Sequence, residues 1–181
     1  MTADNEKEKL MILDEDGNST GKIKTRNYIH ENMLYHNEVR IFILNGKNIL
    51  LEKRSKNKKY NPEKYCVPGG HVPYNETVLE CAINEVYEEV GLKLKPSDIH
   101  YIMKFKQIKK DQKCFKNNFY AFTDKPIEFF KKQDSEVEEL VYISFEKFMN
   151  MIKGNDNQTT YDYTLEKKLF NKLEKIVKEG V

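Results

Sequence analysis

"GGHVPYNETVLECAINEVYEEVGL", residues 69–92, is the stretch on which the reading of this chain turns. Thr77 followed three residues later by Glu80 has the form of a capping box, in which side chain and backbone satisfy each other at a helix start. Leu79, Ala82, Ile83, Val86 and Val90 recur at helical spacing. Gly91 stands where a helix C-cap glycine belongs. The spacing predicts a helix between Thr77 and Gly91, entered from the glycine pair Gly69 and Gly70. At ~100° per residue, Glu85 and Glu89 project ~40° apart and Glu88 ~60° to the other side, so the three acids share about 100° of arc along the edge of the apolar stripe. Either this is a solvated face, or the acids converge on a cation. Like charges at i, i+4 repel by ~0.2–0.5 kcal/mol even when exposed. A divalent ion removes that cost. A few hard oxygen ligands, with water completing the shell, suit Mg²⁺ or Mn²⁺. Glycines without side chains let the backbone approach a phosphate or a metal closely.

Gly70, Glu76, Glu85, Val86, Glu88, Glu89, Gly91 and Leu92 fall into a fixed spacing. Here the chain resembles the Nudix hydrolase family, whose box runs G-x5-E-x7-R-E-U-x-E-E-x-G-U, with U apolar. Every fixed position matches except the arginine, which is Asn84. At average residue usage, such a match arises by accident with odds on the order of 10⁻⁵. The resemblance implies an α/β fold in which helices sandwich a central mixed sheet. It implies hydrolysis of a diphosphate joined to another group, such as a nucleoside diphosphate derivative. By position, Glu85, Glu88 and Glu89 would hold the metal with the Gly69 carbonyl, Gly70 would lie against substrate, and Glu76 would be a supporting carboxylate. In the family a late glutamate near a strand sometimes acts as general base, and Glu139 in "DSEVEELVYIS" fits that position best. Asparagine at 84 brings no charge to orient Glu88, four residues on. It is the one argument for the competing class, a binding module that kept the fold and lost turnover.

Residues 12 to 72 carry a second resemblance, to the branch of the family related to isopentenyl-diphosphate isomerase. Such isomerases use a histidine-rich metal site, to which His30, His36 and His71 would correspond, and a catalytic cysteine just before a Gly-His pair. The cysteine position here is Gly69, Cys66 lies on the far side of Pro68, and "KCFKNNFYAF" holds no Glu-x-Glu pair. Moving a proton across a double bond needs an acid and a base on opposite faces. Isomerisation is therefore the lesser alternative. Without a metal, the histidines would cap loops or pack against tyrosines.

Outward from the box, "LMILDEDGNSTGKIKTR" reads as two strands around Asp16-Gly17, and Thr25 as the cap of a short helix to about His30. "EVRIFIL" and "NILLEKR" form a hairpin around Asn45-Gly46, with Val39, Ile41 and Ile43 on one side. Lys53 and Arg54 end its second strand and are candidate grips on phosphate, since arginine's planar fork suits phosphate oxygens. Two further strands, "HYIMKFKQIKK" and "CFKNNFYAFTD", precede the strand "ELVYIS". A helix capped by Ser144 turns Phe145, Phe148, Met149 and Ile152 inward. A last helix over Thr164–Lys178 sets Leu165, Leu169, Leu173 and Ile176 on one stripe.

With 181 residues the chain is read as a polar tail over 1–9 and one domain over 10–181. Its 31 basic and 29 acidic residues leave no excess charge to favour a nucleic-acid polymer. No apolar run approaches the ~18 residues of a membrane span. Three cysteines without ligand spacing read as reduced thiols in a cytoplasmic setting. The expected partner is a small-molecule diphosphate, with a homodimer left open.

Overall fold

The computed structural model describes residues 5, 7–154 and 157–180. Most of the expected polar tail, residues 1–4 and 6, lies outside these. Its end does not behave as a tail: Lys9 already belongs to strand β1 (Lys9–Leu13), and the Arg26 N–H donates to the Glu8 carbonyl at 2.7 Å. β1 pairs antiparallel with β2 (Ser19–Thr25). Thr25 then caps α1 (Arg26–Glu31), accepting from the Tyr28 N–H.

The central strand is β3 (Tyr35–Asn45). It forms the expected hairpin with β4 (Asn48–Arg54), registered at Leu44–Ile49 and Asn45–Asn48. The two strands then part. β3 runs parallel to β7 (Lys113–Phe122) over its whole length, and β7 pairs with β6 (Ile99–Ile108). β4 pairs instead with β8 (Val137–Ser144) and with the two-residue β5 (Tyr65–Cys66). The gap left beside β3 is filled by residues 68–72. The Val39 N–H donates to the Gly70 carbonyl, Ile41 to Pro68, and Val72 to Asn37. The parting of the hairpin is what seats the glycine pair.

Alternation along β3 divides the core in two. Val39, Ile41 and Ile43 face helix α2 (Val78–Val90), where Ala82, Val86 and Val90 are fully buried. Phe42 and Leu44 face α3 (Phe145–Lys153) and α4 (Tyr163–Glu179), against Phe148, Phe170 and Leu173. Each such side chain contributes ~1.5–3 kcal/mol by leaving water. The expected α/β sandwich around a mixed sheet is the observed architecture. Two inward assignments fail. Leu79 and Leu165 are exposed, because both sit in the first turn of their helices, ahead of where the helix meets the sheet.

Candidate active site

Helix α2 forms as its sequence dictates. Thr77 and Glu80 complete the capping box in both directions, and Gly91 closes the helix at φ +73. That closure needs a residue without a Cβ, because left-handed backbone disfavours side chains. With both ends set, the rotation of the helix is fixed by Ala82, Val86 and Val90 on the sheet. The three box glutamates then take three different environments. Glu89 is buried, 4 % exposed, Glu85 is half-buried, and Glu88 is exposed.

The glycine pair meets two of them. The Gly69 N–H donates to Glu89 Oε2 at 2.8 Å. A Cβ on Gly69 would collide with the Val39 carbonyl oxygen, and one on Gly70 with the carboxylate of Glu85. Neither glycine has a positive φ. Close approach, and not backbone conformation, is what requires them.

Gly69, Gly70, Glu85, Glu88 and Glu89 line one cleft of about 310 Å³. Arg54 also lines it, with its Nε–H donating to the Tyr60 carbonyl at 3.2 Å. The other sequence candidates lie elsewhere. Glu76 is half-buried just ahead of α2 and is not in the lining. Lys53 is half-buried, pairs with Glu138 at 3.6 Å and is not in the lining. Glu139, the expected base, is exposed, accepts from the Tyr65 hydroxyl at 3.1 Å, and does not line the cleft. Alternation along β8 puts it on the wrong side. Glu136, at the strand entrance, does line the cleft and is bonded by Lys58.

Electrostatically the cleft holds more negative oxygen than its surroundings support. Burial pushes the Glu85 carboxyl up to about 8, with Glu88 adding to the shift. Burial holds Glu89 well above the usual carboxylate range, and its nearest acids, Glu52 and Glu85, push further. Glu52, on β4, was not anticipated from sequence. It is 2 % exposed, accepts from the Cys66 thiol at 3.2 Å, and is pushed up to about 7 by burial. Its other oxygen is buried without a hydrogen-bond partner among the described residues. The signal for Glu52 was present in the sequence: a charge two residues after Leu50, hence on the same, α2-facing side of the strand. Arg54 acts on Glu52 and Glu89, yet burial still leaves both carboxyls raised. A cluster of buried carboxylates fits a divalent ion, whose hard-oxygen chemistry matches this donor set.

His30 and His71 also line the cleft, and with the fully buried His36 the three expected histidines do come together. Ligand atoms of His30, His36 and His71 all lie within 4.8 Å of one another. His36 and His71 stack at 5.0 Å between ring centroids. Burial keeps all three imidazoles neutral, lowering His36 to about 3 and His30 to about 4. Glu38 and Lys116, neither singled out from the sequence, also line the cleft.

Residues 34–163 match the family model described as the NUDIX domain. The chain belongs to the Nudix family. A curated relative, Nudix hydrolase 3 of Arabidopsis thaliana, is 31 % identical over 156 residues, which is 80 % of this chain and 20 % of that protein. An m7GpppN-mRNA hydrolase NUDT17 of Xenopus laevis is 43 % identical over 49 residues, 27 % of this chain and 17 % of that one. This Nudix chain thus spans about a fifth of the length of the curated relatives it matches. Solved structures share the fold. DR0079 from Deinococcus radiodurans superposes with a TM-score of 0.71 over 91 % of this chain and 98 % of that one, at 16 % identity. A MutT protein from Methanosarcina mazei Go1 gives 0.62 over 78 % and 96 %, at 23 % identity.

Proposed function

We propose that this Nudix chain is a cytoplasmic pyrophosphohydrolase, dependent on Mg²⁺ or Mn²⁺, that cleaves the diphosphate of a nucleoside diphosphate derivative or related X-diphosphate. The observation that carries this is the pairing of Glu85 and Glu89 with the Gly69–Gly70 bend, in a cleft where burial disfavours their charged forms. Glu85, Glu88 and Glu89 would hold the ion with the Gly69 carbonyl. When bound, such an ion neutralises phosphate oxygens and lowers the pKa of an attacking water. The chain's own groups do the rest. Gly70 leaves room for a phosphate beside Glu85, Arg54 offers its guanidinium to phosphate oxygens, and Glu76 supports the start of the acid-bearing helix. Glu136 takes the role of general base suggested for Glu139, because it alone of the two lines the cleft.

Phosphate release from a panel of nucleotide-sugar, dinucleoside polyphosphate and NADH substrates, with and without Mg²⁺, tests the reading. Metal-dependent release abolished in Glu89→Gln supports it. Tight ligand binding with no release supports the non-catalytic module instead. The convergence of His30, His36 and His71 is the one observation favouring the isomerase reading. Against it, Cys66 is buried against Glu52 and burial pushes its thiol up, away from the reactive thiolate. Conversion of isopentenyl diphosphate without phosphate release would establish that reading.

A further inference from the structure

The histidine cluster has the outline of a second metal site, and its charge balance contradicts one. The Nε2 atoms of His71 and His30 are 3.2 Å apart. Glu38 Oε1 lies 3.3 Å from His36 Nε2 and 3.4 Å from His71 Nε2. Three imidazoles and a carboxylate oxygen, facing inward, are a donor set that a borderline metal such as Zn²⁺ or Co²⁺ takes readily. The second oxygen of that same carboxylate, Glu38 Oε2, is bonded by the Lys116 ammonium. The side chain of Lys116 is 12 % exposed and that of Glu38 is 8 % exposed, so solvent screens their interaction weakly. Glu38 is the one anion touching the histidines among the described residues, and Lys116 already neutralises it. A divalent ion placed among the imidazoles would stand next to the Lys116 ammonium across a single carboxylate.

We infer that Lys116 is a tethered cation occupying the electrostatic place of a second metal, so that the histidine cluster excludes a divalent ion until that ammonium is removed. The two occupants compete for one carboxylate in a poorly screened pocket, where like charges a few ångströms apart repel strongly. The arrangement also has a positive use. Lys116 reaches Glu38 from the neighbouring parallel strand, and Glu38 forms an isolated bridge with His71, the residue after the glycine pair. The ammonium therefore helps to hold in place the segment that presents Gly69 and Gly70, without itself meeting the box acids.

The test is Co²⁺ alone, titrated into the full chain and followed by visible absorption. Imidazole-bound tetrahedral Co²⁺ gives intense bands, and Co²⁺ held by carboxylate oxygens and water gives weak ones. Wild type should show only the weak bands. Lys116→Gln, which keeps a donor to Glu38, and Lys116→Met should both gain the intense bands, with Co²⁺ bound at least about 100-fold more tightly. Lys116→Arg should behave as wild type, and His71→Ala in the Lys116→Gln background should lose the bands. Intense bands in wild type overturn the inference, with no variant needed. So does a folded Lys116→Gln chain, judged by its circular dichroism, that fails to gain them. Neither readout involves phosphate release, so failure here leaves the hydrolase reading to its own assay.

Discussion

The backbone N–H of Gly69 donates to the carboxylate of Glu89 at 2.8 Å, and this contact ties the bend after β5 to the packed face of α2. It is the contact through which the loop beside β3 and the acid-bearing helix act as one site. A carboxylate this buried is retained at a cost, since burial disfavours its charge. The predictions below rest on that tension.

Glu89→Gln separates stability from activity. An amide oxygen can still accept from Gly69, and the cost of burying an ionisable carboxyl is gone. The metal-free variant should melt at a higher temperature than wild type, while phosphate release falls about 100-fold or more. Differential scanning calorimetry in EDTA and a release assay in Mg²⁺ check the two halves. A lower melting temperature with unchanged turnover would remove Glu89 from the site.

The two glycines should fail differently when changed to alanine. The Cβ at 69 meets backbone, the Val39 carbonyl, which cannot move without opening the sheet. Gly69→Ala should therefore lose about 1–3 kcal/mol of stability. The Cβ at 70 meets the end of the Glu85 side chain, which can swing away. Gly70→Ala should fold with near wild-type stability and bind Mg²⁺ weakly. Urea unfolding and isothermal calorimetry distinguish the two.

Stability should depend on pH and metal together. Burial favours the protonated forms of Glu85 and Glu52 in the folded chain, their carboxyls raised from 4.5 to about 8 and about 7. In the unfolded chain they ionise at the ordinary value. Over that interval the folded state binds more protons, so metal-free stability falls as pH rises from about 4.5 through about 8. Mg²⁺ stabilises the charged forms and should restore stability most at the alkaline end. Melting temperatures measured in EDTA and in Mg²⁺, from about pH 5 to about pH 8, should diverge steadily. Parallel curves would show that these carboxyls do not bind the ion.

Asn84 is exposed on α2, one turn before the equally exposed Glu88. An arginine there reaches Glu88 at i, i+4 and is worth ~0.2–0.5 kcal/mol of orientation. Asn84→Arg should raise turnover on the true substrate by a small factor, read as kcat/KM. Unchanged or reduced rates would mean that asparagine is suited to this substrate.

Much of this molecule was legible along the chain. The capping box, the Gly91 stop, the hairpin at Asn45-Gly46, the inward set of α3 and the α/β class all depend on neighbours a few residues apart, which interact wherever the chain folds. The box spacing named the family for the same reason. The sequence could not say which of three adjacent glutamates is buried, since that follows from how α2 is rotated against β3 and β4. It could not place Glu139 outside the cleft and Glu136 inside it, because strand alternation sorts them only once β8 has docked on β4. It gave no hint that Lys116 answers Glu38 from 78 positions away, nor that Glu52 adds to the shift of Glu89. Those relations come from the parting of β3 from β4 and the parallel docking of β7 on β3. Such long-range pairings are decided by the packing of whole elements, and local sequence carries no record of them.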